Sequence, residues 1–178
     1  TTDLCKKIFK TQPEGECEIE VTGVNFGGPY LPSELYNYDP ERFKYYGEPY
    51  AYDSIMRIIY MEVQTSEPTP DMFVSAFPKM DYDFAGHDII FFDLLIGSCE
   101  PFEYTTIITE NMPYYICAAA FDYKGDVTPM WMSEPIDWRD VETRPIEELI
   151  EKIDASEATI QMLGIGANGK VVPISPVR

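Results

Sequence analysis

Through the first two thirds of the chain, apolar and polar positions alternate in short runs that stop at proline or glycine, the pattern of β-strands joined by turns. Cys17 to Val24 (CEIEVTGV) alternates and is rich in β-branched residues, which predicts a strand. Ile55 to Val63 predicts a second strand, closed by Pro68 and Pro70, and Asp71 to Phe77 a third, stopped by Pro78. Glu103 to Thr109 reads as a strand, and so does the run that follows the ENMP turn. In that run Tyr114, Ile116, Ala118 and Ala120 share one face, while Tyr115, Cys117, Ala119 and Phe121 share the other. Its small alanines allow a second sheet to approach closely. Lys124-Gly125-Asp126 then turns the chain into a last strand within VTPMWMSEPIDW.

Three stretches depart from this pattern. Phe84 to Ile96 is long and apolar, with charges at Asp88 and Asp93, and ends at Gly97, which predicts a largely buried, glycine-capped helix over about 83–97, with a strand inside it as the alternative. Beyond Trp138 the period becomes helical: Ile146, Leu149, Ile150 and Ile153 fall on one face of PIEELIEKIDAS, with acidic residues on the other. Thr159 to Pro173 reads as a hairpin around Asn168-Gly169. Residues 27–53 keep neither period; they hold seven tyrosines, four prolines and three glycines and are predicted to form a long ordered loop.

Composition narrows the function classes. At 178 residues with 45% apolar and 14% aromatic content, the chain can bury a real core. Its 31 acidic residues against 13 basic ones give a formal net charge of −18. Nucleic acid is excluded as a partner, because that affinity comes from cations neutralising phosphates, and an anionic membrane surface is repelled in the same way. The acidic balance fits solubility, cation contact or neutral ligands such as glycans. The chain opens TTDLCKKIFK, without the apolar stretch of a signal peptide, and no 18-residue apolar run is present to span a membrane. An exported precursor would therefore be seen here as its trimmed mature region.

Four cysteines, Cys5, Cys17, Cys99 and Cys117, are compatible with two disulfides in any of three connectivities, or with buried free thiols. Cys5–Cys17 and Cys99–Cys117 are the pairs to test first, since each closes a short loop. No CxxC occurs and there is a single histidine, so no zinc pattern is present.

The run PYYICAAAFDYKGDVTPMWMSEPIDW resembles the last two strands of fibronectin type III domains. It has the order Tyr-x-aliphatic-x-small-x-Ala, an acidic residue, a glycine turn and a strand ending in Ser-Glu-Pro. The resemblance implies that Tyr114 takes the tyrosine-corner position, its hydroxyl tying the chain to backbone just upstream. The wider arrangement, with an acidic-aromatic helical insertion between strands, looks like modules in surface lipoproteins of gut anaerobes. That implies a mainly β chain: a fibronectin type III or immunoglobulin-like β-sandwich over 17–138, after an extension at 1–16. A helix and hairpin at 139–178 would then pack on the sandwich. The location implied is extracellular or at the outer-membrane surface, lipid-anchored in the precursor. The resemblance brings no catalytic residues and no cofactor.

Candidate chemistry is sparse. Gly164 to Gly169 matches GxGxxG, but Pro173 and Pro176 lie among the nine residues that follow, so the required helix and strand cannot form and a hairpin turn is the better reading. Asp81-Tyr82-Asp83 opens like a calcium loop, yet Ala85 and Phe92 occupy the fifth and twelfth positions, which need oxygen ligands. These acids are expected to cap the buried helix. His87 has no nucleophile motif beside it, so an enzyme, a hydrolase included, is not expected. The tyrosine segment carries the functional expectation, as a surface that contacts a glycan or a protein. Tyr36, Tyr38, Tyr45, Tyr46, Tyr50 and Tyr52 are its candidate ligand contacts, since a phenol ring stacks on sugars and peptides and adds a polar tip. The alternative is that the tyrosines only pack on the sandwich and the protein is a spacer in a larger surface assembly.

Overall fold

A computed structural model describes residues 17–97 and 105–162 of the chain. It is mainly β, with two antiparallel three-stranded sheets and four helices among those residues. The first sheet has the order β1 (Val21–Tyr30), β2 (Met56–Thr65) and β4 (Thr105–Thr109). The second has the order β3 (Asp71–Pro78), β5 (Tyr114–Phe121) and β6 (Trp131–Met132). The strands predicted before Trp138 all appear, with shifted ends: β1 begins four residues later than the alternation implied and runs on to Tyr30. The last strand shrinks to two residues because Pro129 and Pro135 flank it and can donate no ladder hydrogen bond.

The two sheets face each other across a shared core. Val24, Ile59, Met61 and Ile108 from the first meet Tyr114, Ile116 and Ala118 from the second. The opposite face of β5 turns outward, placing Cys117 and Ala119 against Ile90, Leu94 and Leu95 of a helix. The two-sided reading of β5 thus accounts for two separate cores. Its turn is built around Asp122, whose carboxylate accepts the N–H of Lys124 and of Asp126, each at 2.9 Å, and that of Glu18 at 3.3 Å. Burial pushes this carboxyl up, but the backbone donors outweigh it and hold it below the usual range. Gly125, at φ 85°, takes the left-handed position that the turn requires.

Each sheet also carries an outer layer. Over the first lie α1 (Pro32–Tyr38), two short 3₁₀ turns at Lys44–Tyr46 and Tyr50–Tyr52, and α4 (Ile146–Met162). The helical face read from the sequence is the buried one: Ile146, Leu149, Ile150 and Ile153 join Tyr30, Leu35, Phe43, Tyr46, Ile58 and Tyr60 in one cluster. Burying each of those four α4 side chains stabilises by roughly 1.5–3 kcal/mol, enough to fix the helix on the sheet. The helix runs through Met162, so the hairpin predicted from Thr159 does not begin there; Asn168-Gly169 lies outside the described residues.

Over the second sheet lie α2 (Lys79–Ala85) and α3 (His87–Ile96). The single helix predicted over 83–97 is in fact two, because Gly86 at φ 88° leaves the helical region and turns the chain. Nor is it largely buried, since Ile89 and Ile96 face solvent. Asp81 and Asp83 do not cap it: no side chain caps either helix, and Asp83 pairs with Lys79 one turn back.

Candidate functional site

The segment predicted as a loop is folded more tightly than its composition suggests. Pro32 at the first position of α1 and Glu34 in its first turn are ordinary helix-start signals, hidden among prolines and tyrosines. Leu35 and Phe43 are fully buried and pin the segment to the first sheet and α4. Arg42 reinforces this: its guanidinium pairs with Asp154 at 2.7 Å and Glu157 at 2.8 Å, both on α4, and stacks 4.9 Å from the Phe43 ring.

On that base the six candidate tyrosines divide. Tyr46 has no accessible surface, and its hydroxyl lies 2.9 Å from the Thr105 Oγ1, so it holds the fold and offers nothing to a ligand. Tyr36 is half-buried and packs on Gly47, where even a Cβ would come within 3.1 Å of the ring. Tyr45 is exposed; it stands edge-on to Tyr46 at 5.2 Å and lies 5.4 Å from the tilted ring of half-buried Tyr50. Tyr38 and Tyr52 are exposed, Tyr52 at 74%. A shallow, open depression is lined by Glu48, Pro49, Tyr52 and Asp53. The Asp53 carboxylate is held in place by the N–H of Ile55 at 3.0 Å.

A ring face and two carboxylates at an open surface offer stacking and hydrogen-bond acceptors. His87, at the opposite sheet, lies against Tyr82 and Phe91 with its Nδ1 3.4 Å from the Tyr82 hydroxyl. Among the described residues no group of three or more His, Cys, Asp or Glu side chains is placed to hold a metal ion. Nor, among them, is any helix long and apolar enough to cross a membrane.

Cys17 and Cys117 carry free thiols, while Cys5 and Cys99 lie outside the described residues. Cys117 is completely enclosed, and burial pushes its thiol up to about 12. Tyr114 sends its hydroxyl back to Thr109, accepting the backbone N–H at 3.1 Å and meeting Oγ1 at 3.0 Å.

A second surface escaped the sequence reading. Met80 and Phe84 on α2, with Ile89 and Ile96 on α3, are exposed, Phe84 at 94%. The sign in the sequence was that the apolar residues of Phe84 to Ile96, interrupted by Asp88 and Asp93, are not confined to one helical face, so some had to remain outside.

Comparison of the chain with protein-family models, with curated proteins and with solved structures gives no match in any of the three.

Proposed function

We propose that this chain is a non-catalytic binding module, a β-sandwich of the fibronectin type III kind carried at a cell surface by a lipid-anchored precursor, and that its tyrosine surface contacts glycan. The observation that carries the binding reading is Tyr52, exposed beside Glu48 and Asp53 on a base locked by buried Leu35, Phe43 and Tyr46. A rigid ring loses little freedom on stacking against a sugar face, and the carboxylates accept hydrogen bonds from ring hydroxyls. The formal charge of −18 favours a neutral ligand over an anionic one.

Two features support the sandwich family. The pairing orders β1-β2-β4 and β3-β5-β6 among the described residues match the A-B-E and C-F-G strands of that arrangement. The Tyr114 hydroxyl, bonded to backbone five residues upstream, has the form of a tyrosine corner.

The test is a glycan array probed with the wild-type chain and with Tyr52→Ala and Tyr45→Ala. Losing one stacking ring lowers affinity by about tenfold, with melting temperature unchanged. Binding that survives both substitutions removes this surface from the function. A folded chain that binds no glycan returns the protein to the spacer reading.

A further inference from the structure

Open sheet edges present unpaired backbone groups, and folded proteins ordinarily blunt them. Among the described residues the two sheets have four edges, and three of them are blunted. β1 is broken by register shifts near both ends, and the chain from Trp138 to Arg144 is anchored beside it. The Trp138 ring stands edge-on to Phe26 at 6.1 Å, and the Arg144 N–H donates to the Pro29 carbonyl at 2.8 Å. β4 is five residues long, its Thr109 N–H is taken by the Tyr114 hydroxyl, and Thr105 and Ile107 carry further contacts. β6 has only two residues.

Among the described residues β3 has no such device, and its eight residues pair there with β5 alone. The N–H of Ser133 reaches the carbonyl of Ile116 and that of Thr128 reaches the carbonyl of Ala120, so these β5 residues face β6. By alternation Tyr115, Cys117, Ala119 and Phe121 face β3, which leaves Met72, Val74 and Ala76 with N–H and C=O directed outward. Among the described residues no backbone group pairs with them. From Met72 to Phe77 there is no charge, proline or glycine, and every side chain is half-buried. That is the composition of a pairing template.

We infer that this edge is a homodimer interface, in which β3 pairs antiparallel with β3 of a second copy about a two-fold axis at Val74. The edge is complementary to itself in that register. Val74 lies opposite Val74, and Met72 opposite Ala76, so each outward N–H meets an outward C=O. Asp71, the one charge on the strand, falls opposite Phe77, so no like charges are juxtaposed. The two second sheets become one continuous six-stranded sheet. Because only one open edge per copy is available among the described residues, pairing closes at two copies and does not propagate. The opposing term is the formal charge of −18 on each copy, which makes association dependent on salt.

Sedimentation velocity on the purified chain tests this, with amide hydrogen exchange on the same samples. A monomer–dimer equilibrium is expected whose dimer fraction rises between about 0.05 and about 0.5 M NaCl, as the screening length falls to a few ångströms. On dimerisation the Met72, Val74 and Ala76 amides gain protection. Ala76→Pro removes one outward N–H from each copy and weakens the dimer by at least about tenfold. Met72→Lys, which sets a charge on the edge, does the same and keeps the test open should the proline variant fail to fold. A chain that stays monomeric at the higher salt overturns the inference and leaves the edge to a strand of another protein. A dimer in which those three amides gain no protection overturns it too.

Discussion

The two outer layers solve the same problem with opposite results. Each covers the outer face of a three-stranded sheet with helix and aromatic side chains. Over the first sheet, Leu35, Phe43, Tyr46, Leu149 and Ile153 are enclosed, and Arg42 ties the two parts of the layer together. What remains outside is tyrosine, amphipathic and ready for either water or a ligand. Over the second sheet, the apolar residues of α3 are not confined to one face, so burying Ile90, Leu94 and Leu95 leaves Ile89 and Ile96 outside beside His87, Asp88 and Asp93. A layer can therefore be fully engaged with its sheet and still leave apolar surface; what decides is whether its apolar residues are confined to one face.

The largest effect that would sharpen this contrast is kinetic and reports on the second layer. Cys117 lies beneath α3, and with its thiol near about 12 only a minute fraction is ionised at neutral pH. Labelling by a disulfide reagent should therefore be slower than for a free cysteine by more than about a thousandfold, since the thiolate is the reactive form. Prompt labelling in the native protein would mean that the α2–α3 layer opens readily. The same thiol has a pH signature. Its folded value is raised above the ordinary 9.0, so its contribution to stability is complete below about pH 9 and is lost as pH rises toward 12.

Next in size is the core of the first layer. Phe43→Ala removes a fully buried ring and should lower unfolding free energy by about 3–5 kcal/mol in urea titration. A loss under about 1 kcal/mol would mean that the tyrosine segment is not integral to the fold.

The smallest effect is expected at Phe84. With 94% of its surface exposed, Phe84→Ser should change stability by no more than about 0.5 kcal/mol. A loss of several times that value, read by the same titration, would show that the ring is covered in solution and would erase the contrast between the layers.

How much of this was legible varied with the kind of signal. Ile146, Leu149, Ile150 and Ile153 were readable because helical period and burial coincide along one stripe. The two faces of β5 were readable for the equivalent reason at period two. The break at Gly86 was not, because a glycine within an apolar run is compatible with both a continuous helix and a left-handed turn. The site was half legible. The sequence marked the tyrosines as a group but could not separate Tyr46 from Tyr45, adjacent residues in the same 3₁₀ turn.

Sequence alone determined that this chain would build antiparallel strands, bury one face of its last described helix and carry a strongly acidic surface, because each follows from local periodicity or from counting charges. Tertiary structure alone decided which tyrosines face water, which helical faces stay exposed and which sheet edge is left open. Those properties depend on what lies across from a residue, and for Tyr46 that is Thr105, 59 positions away in the chain.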